Sequence, residues 1–166
     1  MFDRISFLGE KKLIGKSIKM NLADNKTLEL WRSFMPLVKD IQHAKSSKLF
    51  SIQIYNEALH FNDFNLKTDF TKWAAIEVPN FNNVPSKLQT YILPSGLYAV
   101  FIHQGFASEF KQSFDSIFGK WLPQSIYNLD SRPHFELLGD KYSNNNQNSE
   151  EEIWIPIILK SGSRSY

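Results

Sequence analysis

Apolar positions along the chain follow two periods, and the pair of periods occurs twice. Lys11 to Leu22 reads as a strand with Leu13 and Ile18 as its larger apolar residues. Asn25 or Thr27 can cap a helix ahead of a stripe of Leu28, Trp31, Phe34, Met35, Val38 and Ile41. Pro36 inside that stripe predicts a kink or an early end, because proline removes a backbone donor and clashes with the preceding turn. Residues 48–55 then alternate, with Phe50, Ile52 and Ile54 on one face and Ser51, Gln53 and Tyr55 on the other. A polar-aromatic connector covers residues 58–69, a second strand runs to Pro79, and residues 80–87 form a loop.

The same series starts again. Residues 88–105 read as strand, turn at Pro94 to Gly96, and strand. Phe106, Phe110, Phe114, Ile117, Phe118 and Trp121 recur at steps of three or four and predict a helix ended by Pro123. Residues 132–142 form a strand, the Asn-rich tract 143–149 a polar hairpin loop, and residues 151–159 the last strand. Strand, helix, strand, strand is thus stated twice, about residues 8–80 and 88–160, within a single domain of residues 1–166. The predicted fold is α+β: two pseudo-symmetric repeats forming a curved antiparallel sheet, helices on one face and a ligand cleft at the centre.

Strand alternation predicts which side chains reach that cleft. Ala74, Ile76 and Val78 suit the helix-covered face, which sends Trp73 and Glu77 to the other. Ile153, Ile155 and Ile157 do the same for the last strand, which sends Glu152, Trp154 and Pro156 across. Gln53 and Tyr55 are expected to join them by the same rule. Glu152, Trp154, Trp73, Tyr55 and Glu77 are therefore the candidate ligand-binding residues. Aromatic walls around a partly buried carboxylate suit a flat organic cation, through stacking, cation–π attraction and a charge pair strengthened by water exclusion. As an enzyme, the same constellation would be a hydrolase in which Glu152 activates water and Tyr55 assists.

Composition narrows the remaining options. The 166 residues include no cysteine, which excludes disulfides, thiol nucleophiles and Cys-ligated metals. A net charge of +2 with scattered lysines argues against direct nucleic-acid binding. No apolar run approaches the length of a membrane span and the N-terminus lacks a signal-peptide core, so a cytoplasmic protein is expected. The aromatic content is high, with 14 Phe, 6 Tyr and 4 Trp, and can serve either a core or a pocket. None of the hydrolase, zincin, dinucleotide or phosphate-loop motifs is present, and the four histidines have no ligand-spaced partners, so neither metal nor cofactor is expected.

Three stretches then carry a resemblance: GLYAVFIHQG, WLPQSIYNLDSRPHFELLGDKY and EEEIWIPI, in that order. Together the chain resembles the GyrI-like small-molecule-binding family, the effector-binding domain of AraC- and MerR-type regulators, over about residues 10–160. The resemblance implies two strand–helix–strand–strand repeats and an aromatic pocket for hydrophobic, often cationic compounds. It further implies a glutamate just before the IPI strand at the pocket base. Glu152 matches that glutamate, with Glu151 one register away; Trp73, Trp154 and Tyr55 match pocket aromatics by position, and Trp121 is added as a further match. Family regulators carry a DNA-binding segment before this domain, and here the domain begins near Met1, so direct transcription control is not expected. Stand-alone members imply three roles: capture of toxic hydrophobic molecules, hydrolysis of electrophilic natural products, or docking on a protein such as gyrase. For the last, the connector at Phe61 to Phe64 is the candidate surface.

Overall fold

The computed structural model describes residues 1–143 and 146–161. The Asn-rich tract 143–149, read above as a hairpin loop, includes Asn144 and Asn145, which lie outside the described residues. Among the described residues there are nine strands: β1 (Phe2–Leu8), β2 (Lys11–Met20), β3 (Leu49–Ile54), β4 (Phe70–Val78), β5 (Gln89–Leu93), β6 (Gly96–Gln104), β7 (Tyr127–Leu129), β8 (His134–Leu138) and β9 (Glu150–Leu159). Helix α1 spans Thr27–Phe34, and Pro36 turns the chain into a tighter 3₁₀ segment at Met35–Asp40. Helix α2 spans Phe110–Ser116 and widens into a π turn at Ile117–Trp121 before Pro123 ends the helical stretch. Among the described residues no helix is long and apolar enough to cross a membrane.

All strand pairs are antiparallel, in the order β1-β6-β9-β8-β3-β4-β2-β5, with β7 on the far end of β9. Each repeat contributes a block of three, β2-β4-β3 and β6-β9-β8, and the blocks meet where β3 pairs with β8. The outermost strands are exchanged. Strand β1, which the hydrophobic pattern did not reveal, leads into repeat one but pairs with β6 of repeat two; β5 leads into repeat two but pairs with β2 of repeat one.

This exchange shapes the sheet. Leu8 stands opposite Gly96 and Lys11 opposite Leu93, so β1–β2 and β5–β6 run side by side through one shared corner. The turn at Pro94 to Gly96 therefore does not fold β5 back on β6, as a hairpin would. Because β1 and β5 are the two ends of the strand order, the shared ribbon draws those ends together and curls the sheet. The concave face fills with Leu8, Leu13, Phe50, Ile52, Trp73, Tyr98, Val100, Phe135 and Trp154. The face expected to be free is thus a sealed core: Trp73 and Trp154 are 8% and 7% exposed.

Both helices lie on the convex face. Leu30 and Phe34 of α1 pack on Ile14, Ala74, Ile76 and Val78. Ile117 and the half-buried Phe118 and Trp121 pack on Ala99, Phe101, Ile153, Ile155 and Ile157. Each helix covers one block and leaves the β3–β8 seam between them.

Strand β2 is crowded at Gly15, which pairs with Ala75 on one side and Gln89 on the other. A Cβ there would sit 2.1 Å from the Ala74 carbonyl oxygen and 2.7 Å from the Ala75 Cβ, and the first of these is backbone that cannot step aside. Overpacking of this kind costs about 1–3 kcal/mol. Gly15→Ala is expected to lower the melting temperature by about 2–12 °C, taking roughly 2–4 °C per kcal/mol for a chain of this size. Gly9→Ala, where nothing lies within 4 Å of the added carbon, leaves it unchanged.

Candidate functional site

At the seam the convex face changes character. Register puts Gln53 of β3 opposite Lys72 of β4 and His134 of β8, and Ser51 opposite Glu136. These polar side chains take the face that carries Ala74 and Ile76 further along β4. All are buried: Gln53, Lys72, His134 and Glu136 are each under 9% exposed. Burial of such groups is tolerated only when they are paired. The Gln53 amide donates to both Glu136 oxygens, at 2.8 and 3.1 Å, and Lys72 Nζ lies 3.6 Å from Glu136 Oε2.

Above this floor, between α1 and α2, lies a cavity of about 700 Å³. Its polar base is Gln53, Lys72 and Glu136; its walls are rings, Tyr55, Phe64 and Phe70 from repeat one and Phe110, Phe114 and Phe118 from α2 and the π turn. Phe110, Phe114 and Phe118 follow at steps of four. The π turn matters here, because it lets Ile117 enter the core while Phe118 still reaches the cavity. A second cavity, of about 610 Å³, lies beyond Phe61 and is bounded by Asn56, His60, Asn128 and Arg132.

Burial and charge tune the groups around the floor. His134 is sealed between Tyr55, Phe61 and Phe118, and desolvation pushes it down to about 3, so it presents a neutral ring. Glu151 shares the convex face, two residues along β9 from Ile153, which stands opposite Glu136. Desolvation raises its carboxyl to about 7; the nearby Glu136 charge adds to the rise and Lys72 opposes it. The Tyr55 hydroxyl is raised by burial and by Glu136, and remains protonated.

The residues named from sequence are distributed over both faces. Tyr55 lines both cavities and packs edge-on against Phe61, Phe64 and His134. It does not share a face with Trp73, because Phe50, Ile52 and Ile54 supply the concave side of β3. Glu152 and Trp154 lie on the concave side: Trp154 Nε1 donates to Glu152 Oε2 at 2.8 Å, and Arg4 pairs with Glu152 at 3.1 Å while sitting over the Trp154 ring. Glu152 and Tyr55 are therefore on opposite sides of the sheet. Trp73 stacks against Tyr91 in the core. Glu77 is held by Lys11 and Lys45, at 3.2 and 3.1 Å. Trp121 packs on Phe2 and Phe101 at the outer flank of α2.

Sequence reasoning passed over Lys72, His134, Glu136, Phe61, Phe110, Phe114 and Phe118 as site residues. A signal was available. Lys72 interrupts the helix-facing parity of Ala74, Ile76 and Val78, and Gln53 and Glu136 lie on the more polar parity of their strands, beside Ser51 and His134. Polar residues on the same face of three adjacent strands mark a floor.

Similarity to known proteins agrees with this architecture. SAV2435, whose solved structure is bound to tetraphenylphosphonium, is 18% identical, with a TM-score of 0.73 over 95% of this chain and 94% of that one. The C-terminal domain of EcmrR is 12% identical, with a TM-score of 0.68 over 96% and 99%. An integron cassette protein of Vibrio cholerae is 15% identical, with a TM-score of 0.62 over 95% and 97%. At these identities the likeness shows the fold. Among curated proteins, none matches the chain in sequence. The model of the integron-associated effector binding proteins, Cass2, matches residues 4–157. With nearly the whole chain matched, it belongs to this GyrI-like family of small-molecule effector-binding proteins.

Proposed function

We propose that the cavity between α1 and α2 captures hydrophobic organic cations carrying aromatic rings. The observation that carries this reading is the buried Glu136 carboxylate at the floor of a ring-walled cavity. The rings offer stacking and cation–π attraction worth about 0.5–2 kcal/mol each where water is excluded. Glu136 offers a charge whose interaction grows as the local dielectric falls. Lys72 already neutralises part of that charge, and Glu151, close enough to feel both, supplies the surplus negative charge when ionised. SAV2435 holds tetraphenylphosphonium, an aryl cation, which is the chemistry these walls suit. In this reading Glu152, Trp154, Trp73, Glu77 and Trp121 support the fold and make no ligand contact.

Anisotropy of rhodamine 6G tests it. Wild type is expected to bind at micromolar concentration, and tetraphenylphosphonium to compete. Glu136→Gln keeps the amide-sized shape but removes the charge, and is expected to weaken cations about tenfold, or ~1.4 kcal/mol, while a neutral dye of similar size is unaffected. Glu152→Gln leaves both unchanged. Loss of cation binding in Glu152→Gln, with Glu136→Gln still binding, would move the site to the concave side and defeat the proposal.

A pH series adds a second check. A carboxyl raised to about 7 is mostly protonated at pH 6 and mostly ionised at pH 8. Cation affinity is therefore expected to rise several-fold from pH 6 to 8. His134 stays neutral throughout. Glu151→Gln assigns the effect, because the rise should vanish in that variant; a rise that persists there excludes Glu151 as its source.

A further inference from the structure

Phe61 is the partition between the two cavities. Four residues, Tyr55, Phe61, Phe118 and His134, line both. The Phe61 ring lies parallel to His134 at 5.0 Å and 9°, to Phe118 at 5.5 Å and 12°, and to Phe64 at 5.7 Å and 9°. Tyr55 meets it edge-on at 5.0 Å. A ring in this position makes the contacts a flat aromatic ligand would make there.

The segment that delivers the ring is weakly attached. Phe61 opens a three-residue 3₁₀ turn, Phe61–Asp63, in the connector between β3 and β4. The backbone bonds around it are local: Leu59 to Asn56, Asp63 to His60, Phe64 to Phe61. Among the described residues, the one backbone bond from the connector to another part of the chain, Ala23 N to Leu66 O, lies past the aromatic turn. None of these ties the Phe61 turn to the sheet, and Phe61 itself is only half-buried. Stability of this kind is local, so the turn can leave without disturbing the strands.

Accepting the cavity as a ligand site, we infer that the slot now filled by Phe61 is itself a ligand subsite. A planar fused-ring cation takes the place of the Phe61 ring between Phe64 and the His134–Phe118 pair, and joins the two cavities into one. Exchange of one ring for another is near balance in stacking, so what the ligand gains on either side decides the outcome. Toward Glu136 it gains a counter-charge; toward Asn56, Asn128 and Arg132 it gains partners for hydrogen-bonding substituents. The ligand class selected is an elongated planar cation with a polar end, in preference to a compact one that fits the larger cavity alone.

If Phe61 is an occupant, its removal helps a planar ligand; if it is a wall, its removal harms. Phe61→Ala is expected to lower the rhodamine 6G dissociation constant about five- to tenfold and to leave benzyltrimethylammonium within about twofold. Phe61→Leu, which keeps apolar bulk but not the flat ring, is expected to fall between wild type and Phe61→Ala. Weaker or unchanged rhodamine binding in Phe61→Ala overturns the inference. Hydrogen exchange gives an independent reading on wild type: amides of residues 57–64 should exchange faster when the dye binds, and slower exchange there overturns it too. Dye binding that is lost in Glu136→Gln but not strengthened in Phe61→Ala rejects only the Phe61 subsite. Absence of dye binding in every variant rejects the cavity reading and this inference together.

Discussion

The exchange of β1 and β5 between the two repeats is the constraint on which the rest depends. Two strand pairs share one corner, and only a curled sheet can satisfy both of their pairings. Curling turns one face inward and closes it with aromatic and aliphatic side chains. The other face is left convex, and two helices of eight and seven residues cannot cover it. A gap at the β3–β8 seam follows from the geometry of cover, without any special device. The cavity is therefore a by-product of how two repeats were joined, and its position on the pseudo-twofold seam gives it walls from both.

What fills the floor of that gap is costly. A lysine and a glutamate under 9% exposed lose most of their hydration, and pairing at 3.6 Å does not by itself restore it. The Gln53 amide, bonded to both carboxylate oxygens, supplies the rest of what Glu136 needs. An apolar trio of similar volume would serve folding at least as well. Retention of a buried charge pair beneath a ring-lined space is more easily understood as a site than as a strut. The contrast with Glu77 is instructive. That carboxylate holds two lysines near the surface, where each pair is worth little, and it lines neither of the two cavities.

The repeat, the two helical stripes and the helix-facing parities of β4 and β9 were all legible, because each follows from local periodicity. Strand β1 was not, since Phe2–Leu8 alternates weakly and its pairing partner lies about ninety residues away. That single omission explains why Trp73, Glu152 and Trp154 were expected on an open face. Without β1 the sheet looks open, and its uncovered face looks free to bind. With β1 it is a closed core, and Trp73 and Trp154 become packing residues. The expectation that Tyr55 shares a face with Trp73 failed for a related reason. The alternation rule takes the more apolar side of a strand as the helix side, yet β3 is buried on both, with Ile52 inward and Gln53 on the cavity floor. Glu151 against Glu152 was a one-residue choice in a run of three acids, and a one-residue shift moves a strand side chain to the opposite face. Periodicity alone cannot make that choice; it needs the pairing of β9 with β8.

The charge state of the floor makes the cavity adaptable. With Glu151 protonated, Lys72 and Glu136 balance and the space above them is electrically neutral. With Glu151 ionised, one negative charge is left over. A carboxyl raised to about 7 populates both states near neutrality. In the proposed site a neutral aromatic molecule and an aromatic cation would therefore each select the protonation state that suits it, because a ligand shifts an equilibrium only through its differential affinity for the two states. The buried His134 does not take part, since its ring is neutral in both. On that proposal, breadth of ligand would follow from one titrating carboxylate beside a balanced pair, set under rings that present flat, uncharged faces to whatever lies between them.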